Sequence, residues 1–349
     1  MLKENCKKGR LPERLVVRSN MANDIGIDLG TANVLINVQG KGIVLDEPSV
    51  VAIDTKTNKV LAVGSEAYKM VGRTPGSIRA IRPLKDGVIA DFDMTEQMLT
   101  YFIKKLNVKG FMSKPNVLIC CPTNTTDIER KAIRQAAEKA NGGGKIYLEE
   151  EPKVAAVGAG LDIFRPYGSM VIDIGGGTSD IAVLSMGDIV VSRSLRIAGD
   201  RLNQDIANYI RKERGLIIGE NTAEKVKKTI GTVLKGHRNE EMEVRGRDMV
   251  NGLPQAIKVT SDEIEVALHD TMMAVVSATH DVLSETPPEL AADIIDSGIV
   301  LTGGGAMIDG AAELLSDALS IPVNVAETPL DDVAVGTGIL LEQIQSGKQ

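Results

Sequence analysis

DIGIDLGTANV at residues 24–34 returns in altered form as MVIDIGGGTSD at residues 170–180. In each copy a short run rich in Ile and Val ends in an aspartate, Asp28 or Asp173, and Gly and Thr positions follow at once. This pattern predicts a strand that leaves its sheet through a tight turn. A glycine turn lets backbone N–H groups approach an anion, threonine adds a hydroxyl donor, and an aspartate can hold a hydrated divalent cation. The duplication therefore predicts two related halves that close on a nucleotide from opposite sides.

A third glycine cluster, LTGGGA at residues 301–306, also follows an apolar strand and precedes a helical pattern. Taken singly, each Asp-Gly-Thr turn is also compatible with an ordinary β-hairpin that binds no ligand. Three strand-to-glycine junctions in one chain favour a nucleotide site, because they bring bare backbone close to a ligand. The chain contains neither G-x-x-x-x-G-K-[ST] nor G-x-G-x-x-G after its first strand. A P-loop NTPase and a Rossmann dinucleotide enzyme are therefore disfavoured.

Three consecutive glutamates, Glu149 to Glu151, stand between an apolar strand and a segment rich in small residues that begins at Pro152. One interpretation is a charged turn that the N-terminal dipole of the following helix favours. The other is a functional cluster in a cleft, because three neighbouring carboxylates repel one another without such a role. The second interpretation is preferred.

The composition is that of a soluble globular protein with two or three domains. The chain has 349 residues, 43% of them hydrophobic and 25% charged, and one core rarely serves so long a chain. The net charge of −7 disfavours general nucleic-acid binding. No stretch reaches the roughly 18–20 apolar residues of a membrane span. Cys6, Cys120 and Cys121 lack the spacing of a zinc or disulfide framework, which indicates a reducing cytoplasm.

The first 20 residues are basic but lack the apolar centre of a signal peptide. We expect residues 1–21 to form a disordered basic extension ahead of the folded chain. The alternative is a basic tail that an anionic membrane surface attracts.

Apolar periodicity in the rest of the chain alternates between strands and helices, which predicts an α/β fold with helices packed on sheets. We expect Thr95 to cap one helix and Ser261 to cap another, the long helix that ends at Pro287. Gly336 and Gly338 fall inside the last predicted helix, where glycine costs helix propensity. They indicate that another element packs closely against this helix.

Five motifs, in this order and spacing, resemble those of the actin, Hsp70 and sugar-kinase superfamily: DLGTAN, EEPKVAAVGAG, DIGGGTSD, TAEKVK and LTGGGA. Within that superfamily the chain resembles the MreB family of bacterial actins. Stretches such as GRTPG, LICCPTN and RGRDMVNGLP are most similar to the Mbl branch of Gram-positive bacteria. The resemblance extends from Met21 to the last helix.

The resemblance implies an actin-like ATPase fold of class α/β. Such a fold has duplicated RNase H-like halves, mixed sheets flanked by helices, and a nucleotide cleft between two domains. The subdomain ranges that it implies are 22–53, 93–165 and 330–349 for IA, 54–92 for IB, 166–200 and 262–329 for IIA, and 201–261 for IIB.

Carried over residue by residue, the resemblance implies ATP and Mg²⁺ as ligands. Asp28 and Asp173 match the carboxylates that hold Mg²⁺ through its water molecules. Glu151 matches the catalytic glutamate that orients and polarises the attacking water, and Thr178 matches the threonine that helps to place it. The other implied nucleotide contacts are Gly30, Thr31, Ala32, Asn33, Gly175, Gly176, Gly177, Glu224, Lys225, Val226, Lys227, Gly303, Gly304, Gly305, Ala306 and Met307.

The segment NVKGFMSKP at residues 107–115 places Phe111 and Met112 among lysines. The apolar pair could fold inward, or it could anchor the protein on an anionic membrane surface. The family's membrane-insertion loop maps to this place, which favours the anchor.

The resemblance further implies a membrane-associated cytoplasmic filament protein and no nucleic-acid partner. Its partners would be further copies of itself in double protofilaments, the inner face of the cytoplasmic membrane, and the elongasome proteins of cell-wall synthesis. It would maintain rod shape by organising lateral wall synthesis, with slow ATP hydrolysis as a polymerisation switch. The alternatives are a phosphotransferase similar to sugar or acetate kinases, and an Hsp70-like ATPase. The second is disfavoured because we expect no substrate-binding domain after the final SGKQ.

Overall fold

The structure is a computed structural model that describes residues 23–106 and 114–346. The expected basic extension and the loop with Phe111 and Met112 lie outside the described residues.

The described chain forms eighteen strands and ten α-helices. The strands are β1 (Ile25–Leu29), β2 (Asn33–Val38), β3 (Gly42–Pro48), β4 (Val51–Asp54), β5 (Val60–Val63), β6 (Ile78–Ile81), β7 (Leu84–Lys85), β8 (Val88–Ile89), β9 (Val117–Cys121), β10 (Ile146–Glu150), β11 (Ser169–Ile174), β12 (Ser179–Ser185), β13 (Asp188–Leu195), β14 (Leu216–Ile217), β15 (Glu241–Asp248), β16 (Pro254–Thr260), β17 (Ile299–Thr302) and β18 (Val323–Val325). The helices are α1 (Ser65–Tyr68), α2 (Phe92–Leu106), α3 (Asp127–Asn141), α4 (Glu151–Gly158), α5 (Gly199–Arg214), α6 (Glu220–Ile230), α7 (Ser261–Glu285), α8 (Pro288–Ser297), α9 (Ala311–Leu319) and α10 (Asp332–Ser346).

Two five-stranded sheets share one topology. The first has the order β10-β9-β1-β2-β3, and the second has the order β18-β17-β11-β12-β13. In each sheet the central strand pairs antiparallel with the next strand in sequence and parallel with a later one, as β1 does with β2 and β9, and β11 with β12 and β17. The predicted duplication is therefore confirmed at the level of whole sheets.

Helices α4 and α10 lie between the two sheets. Their apolar residues form one cluster with Leu118 and Cys120 of β9 and with Val171, Ala182 and Leu184 of the second sheet. The outer faces are covered by other helices, with Phe102 of α2 buried on the first sheet and Leu268 of α7 on the second. The β1–β2 and β11–β12 turns therefore come from sheets that share a central helical layer.

Two small sheets accompany the large ones. Strands β5-β4-β6 carry α1, and strands β14-β15-β16 lie next to α6. The first of these sheets starts at Val51, three positions before the range 54–92 that the resemblance assigns to IB. The second falls within the range 201–261 assigned to IIB.

Two of the expected helix caps are wrong, one by four positions in the sequence and the other by one. Helix α2 begins at Phe92, so Thr95 lies inside it, and Asp91 Oδ1 accepts the Met94 N–H at 3.1 Å instead. In α7 the N-cap is Thr260 rather than Ser261. Asp91 and Thr260 were overlooked because each stands at the end of the preceding segment, where the apolar pattern of the helix has not yet begun.

The close packing expected at Gly336 is confirmed. A Cβ built there would lie 2.0 Å from the carbonyl oxygen of Val154 in α4. At Gly338 a Cβ would lie 3.1 Å from the Asn37 amide of β2. These two glycines let α10 lie against both α4 and the first sheet.

Candidate functional site

The β1–β2 and β11–β12 turns touch each other. A Cβ at Gly176 would lie 2.6 Å from the Ala32 Cβ, and one at Gly177 would lie 2.4 Å from the Thr31 Oγ1. The backbone N–H of Gly87 donates to Thr31 Oγ1 at 3.0 Å, which adds a third segment to the contact. The predicted meeting of two glycine loops from opposite halves is therefore present.

The first loop is held in place by its neighbours in sequence. Ser49 Oγ donates to the Gly30 carbonyl at 2.6 Å, and the Ser49 N–H donates to the Ala32 carbonyl at 2.9 Å. Asn33 Nδ2 donates to Asp46 Oδ1 at 2.6 Å. With its carbonyls bonded, this turn presents a fixed shape to the cleft.

Four carboxylates gather behind the loops: Asp28, Glu151, Asp173 and Asp180. Burial raises the pKa of Asp28 to about 7, and the charge of Asp46 adds to the rise. Burial also raises the pKa of Glu151 and of Asp173 well above the usual range, followed in each case by the charge of Asp180. Such mutual repulsion is the electrostatic setting that a cation relieves.

Asp180 is the residue of this group that the sequence analysis missed. The β11–β12 hairpin pairs Asp173 directly with Asp180, whereas Asp28 in the first hairpin pairs with Leu35. Asp180 Oδ1 accepts hydrogen bonds from the N–H and the hydroxyl of Thr123, at 3.2 and 3.4 Å. The signal was available, because counting outward from the centre of the four-residue turn places residue 180 opposite residue 173.

The three consecutive glutamates have separate environments. Glu149 pairs with Lys153 at 3.4 Å, and Glu150 pairs with Arg130 at 2.8 Å. Glu151 is the first residue of α4 and faces the aspartates, whose charges add to the burial that raises its pKa. The charged-turn interpretation is therefore wrong for Glu149 and Glu150, which are the last residues of β10 and form ion pairs there. Only Glu151 faces the aspartates.

Thr178 is buried beside this cluster. A Cβ at Gly87 would lie 2.6 Å from Thr178 Cγ2 and 3.5 Å from Thr178 Oγ1. Burial raises the pKa of Asp180, and the nearby Thr178 hydroxyl is one of the polar groups that oppose this rise. The hydroxyl therefore lies between the second glycine loop and the carboxylates.

Helix α6 supplies the next group of expected contacts. Glu224 Oε2 accepts a hydrogen bond from the Tyr68 hydroxyl at 2.6 Å, and Lys227 Nζ donates to the Gly199 carbonyl at 2.8 Å. Burial lowers the pKa of Lys227 to about 8. The structure does not bring Lys225 and Val226 into this group, since Lys225 points to solvent and Val226 is fully buried in the core.

The third glycine cluster packs directly against β11, the strand that leads into the second glycine loop. A Cβ at Gly303 would lie 2.3 Å from Asp173 Oδ1, and one at Gly305 would lie 2.2 Å from Ile174 Cγ2. Gly303 also has a φ of +78°, which glycine adopts without strain. A short 3₁₀ helix, Gly304–Met307, follows, with Ala306 buried and the side chain of Met307 63% exposed.

Two of the clustered carboxylates have an oxygen that is free to accept a further hydrogen bond. Asp173 Oδ2 and Asp180 Oδ2 are buried and have no hydrogen-bond partner in the protein. Within residues 23–106 and 114–346 no three acidic, histidine or cysteine side chains converge on one point as direct metal ligands. Buried oxygens without a partner, such as those of Asp173 and Asp180, can accept hydrogen bonds from the water molecules of a hydrated cation.

Two further surface clefts are present, and one of them reaches Asp46 beside the first loop. Each cleft has a volume of about 370 Å³. Leu45 and Lys105 are among the residues that line the first, and Asp91 and Glu96 are among those that line the second. In the part of the chain that the structure describes, none of the helices combines the length and the apolar character needed to cross a bilayer.

Comparison with known proteins places the chain in a family. The family model described as MreB/Mbl protein matches residues 22–349. The chain is 64% identical over 323 residues to the cell shape-determining protein Mbl of Bacillus cereus, and 62% identical over 323 residues to that of Bacillus subtilis. Each alignment covers 93% of this chain and 97% of the relative.

A solved structure agrees with the sequence comparison. MreB5 of Spiroplasma citri bound to ADP superposes with a TM-score of 0.89 and 42% identity, over 94% of this chain and 98% of that one. The same protein bound to AMPPNP also gives a TM-score of 0.89, at 41% identity. The actin-like fold expected from the motifs is therefore confirmed, and the chain belongs to the MreB/Mbl family.

Proposed function

We propose that this protein is an ATP-binding cytoskeletal filament protein that determines cell shape. The observation that carries the proposal is the contact between the Thr31 and Gly177 loops in front of four carboxylates. Relatives named as cell shape-determining proteins, and a relative solved with ADP and with AMPPNP, support it.

The phosphates would lie between the two glycine loops. Backbone N–H groups of Gly30 to Asn33 and of Gly176 to Thr178 would donate to phosphate oxygens, as in other glycine-rich anion sites. The Gly175 N–H donates to the Thr178 carbonyl at 2.9 Å and so shapes the second loop instead. The adenosine would lie towards Glu224 and Lys227 of α6 on one side and towards Gly303 to Met307 on the other. A charged Lys227 adds attraction for an anionic ligand in this cleft.

Asp28 and Asp173 would hold Mg²⁺ through its water molecules. When bound, the ion supplies positive charge against the phosphate oxygens and neutralises part of the carboxylate cluster. The unpartnered Asp173 Oδ2 is available as an acceptor for a metal-bound water.

Glu151 would act as the general base for hydrolysis. Burial raises its pKa, so once ionised its carboxylate is a stronger proton acceptor than that of an ordinary glutamate. It would orient the attacking water in line with the γ-phosphate and take up its proton, with the Thr178 hydroxyl helping to place that water. No covalent intermediate with the protein is needed.

Hydrolysis would be slow. It would regulate assembly of the polymer and would not serve a metabolic reaction. The protein would form double protofilaments in its assembled state, and ATP binding would favour assembly. The four subdomain ranges IA, IB, IIA and IIB are the proposed frame for the cleft motion that links nucleotide and polymer.

Membrane attachment through Phe111 and Met112 is part of the proposal. Of the flanking lysines, Lys104, Lys105 and Lys114 are exposed, and Lys105 also makes an ion pair with Glu47 at 2.7 Å. The apolar pair and these lysines would together supply the affinity of each subunit, and repetition along a filament would multiply it. On the membrane the filament would organise elongasome enzymes for lateral wall synthesis.

Electron microscopy of the purified protein with Mg-ATP on anionic lipid tests the proposal. We expect filaments that coat the lipid surface, and fewer of them when Mg-ATP is replaced by EDTA. A protein that binds no adenine nucleotide and forms no filaments under these conditions would contradict the proposal. Production of ADP that depends on an added small-molecule acceptor would instead favour a phosphotransferase.

A further inference from the structure

Two polar contacts connect the region of the small β4–β6 sheet to α6. The Tyr68 hydroxyl donates to Glu224 Oε2 at 2.6 Å, and Arg82 Nη2 lies 2.5 Å from Glu220 Oε1. Arg82 Nε also donates to that oxygen, at 3.1 Å. The partners are separated by 156 and 138 positions in the sequence, so the contacts depend on how the two halves meet.

Glu224 is fixed from two directions. Tyr68 binds one carboxylate oxygen, and Lys228 Nζ lies 2.6 Å from the other. Burial by itself would raise the pKa of Glu224, but the hydrogen bonds from Lys228 and Tyr68 outweigh it and the pKa is lowered. The side chain is therefore an ionised acceptor with a set orientation, and each oxygen keeps a lone pair for another donor.

The contacts complete a ring of hydrogen bonds and packing contacts around the cleft. On the Tyr68 side, the Gly64 N–H donates to Val50 O at 2.9 Å, and the neighbouring Ser49 bonds to the first glycine loop. On the other side, Lys227 of α6 donates to Gly199 O, and the Gly199 N–H donates to Gly175 O at 3.1 Å. The loop-to-loop contact closes the ring at the bottom.

We propose that Tyr68 is a positioning residue for the nucleoside: it holds Glu224 against the ribose, and together with the Arg82–Glu220 pair it retains the nucleotide in the cleft. The inference rests on the proposed function, because Glu224 has to face the nucleoside. A ribose hydroxyl can donate a hydrogen bond to the carboxylate of Glu224. This bond forms more often when the carboxylate has a fixed orientation than when it rotates freely. Release of the nucleotide then requires the Tyr68–Glu224 and Arg82–Glu220 contacts to separate.

Tyr68→Phe tests the inference, because it removes one hydroxyl and keeps the ring. With a fluorescent ADP displaced by excess unlabelled ADP in stopped flow, we expect dissociation to become about tenfold faster, the loss of one hydrogen bond to a charged group. The ratio of the affinities for ADP and 2′-deoxy-ADP should also fall towards one. A purely structural role for Tyr68 would leave that ratio unchanged and would overturn the inference.

Tyr101→Phe is the matched control. The Tyr101 side chain is 47% exposed on α2, and its hydroxyl makes no hydrogen bond within the described residues. We expect ADP to dissociate from the Tyr101→Phe variant at the same rate as from the unchanged protein. If the unchanged protein binds ADP and the Tyr68→Phe variant releases it at the same rate, the role of Tyr68 is refuted and the proposed function is unaffected. Unchanged protein that binds no ADP would refute the proposed function itself.

A charge swap tests the second contact without relying on a single variant. Arg82→Glu places two acidic side chains opposite each other and should speed ADP release. Glu220→Arg added to it restores an opposite pair and should slow release again. Failure of the second change to slow release would contradict a retaining role for this pair.

Discussion

At the scale of single residues, neighbours of the same type have different environments because of where their side chains point. Glu149 and Glu150 are neutralised by Lys153 and Arg130, whereas Glu151 faces the aspartates. A side chain that is buried among like charges holds its proton longer and is a better base. Within the triplet, the proposed role in hydrolysis therefore belongs to Glu151 alone.

We predict that Glu151→Ala keeps nucleotide binding and slows phosphate release by about 10²- to 10⁴-fold, the usual contribution of a positioned base. Fluorescent-nucleotide titration measures the binding, and a phosphate-release assay measures the rate. Glu149→Gln is the control, since that side chain is paired with Lys153 and should release phosphate at nearly the unchanged rate. Equal rates for Glu151→Ala and the unchanged protein would remove Glu151 from the mechanism.

We predict that the nucleotide-free protein in EDTA loses stability as the pH rises from 4 to 7. Burial raises the pKa of Asp28 from 3.8 to about 7, so in this window the folded state binds a proton that the unfolded state has lost. Each pH unit of that window costs up to about 1.4 kcal/mol of unfolding free energy. Denaturant unfolding at several pH values measures the slope.

Two comparisons make this pH prediction specific. Asp28→Asn should flatten the slope, because the amide does not titrate. Mg-ADP should stabilise the protein more at pH 8 than at pH 5, because the ionised cluster binds the cation. A free energy of unfolding that rises between pH 5 and 7 in the absence of metal would show that other groups dominate.

At the scale of elements, sequence periodicity predicted α2, α7 and α10 but did not give the first residues of α2 and α7, and it did not predict α8 directly after Pro287. The α2 and α7 caps are Asp91 and Thr260, not Thr95 and Ser261, because a cap is defined by its side-chain hydrogen bond to a later N–H. The hairpin loops were easier to predict, because glycine and threonine residues directly after an apolar run favour a turn. The side on which Val226 lies, in contrast, depends on how α6 docks in the core.

We predict that Gly336→Ala lowers the free energy of unfolding by about 1–3 kcal/mol, as other overpacked substitutions do. Alanine favours a helix over glycine by about 1 kcal/mol, but its Cβ would lie 2.0 Å from the Val154 carbonyl oxygen, so α10 and α4 have to separate. Gly76→Ala is the control, because nothing lies within 4 Å of its Cβ position. Equal stability of the two variants would show that α10 moves away at no cost.

At the scale of the whole molecule, the duplication explains what sequence could and could not reveal. Two matching hairpins predicted two halves and a cleft between them, and the matching strand orders confirm this arrangement. The contacts between the halves were not readable, because Tyr68 and Glu224, or Asp180 and Thr123, carry no mutual signal in the chain. They arise only when both halves have folded and the helical layer of α4 and α10 has fixed their distance.

The last prediction concerns the assembled protein on a membrane. Phe111→Ser combined with Met112→Ser should weaken co-sedimentation with anionic liposomes, because the proposed anchor loses its apolar area. The loss should be larger for filaments than for subunits, since a polymer multiplies a small change in each anchor. Met186→Ser is the control, as it also removes an exposed methionine, one whose side chain is 74% exposed at the β12–β13 turn. Both proteins should first be shown to pellet equally as filaments without lipid. If the double variant then binds liposomes as well as the Met186→Ser control, attachment depends on another part of the molecule.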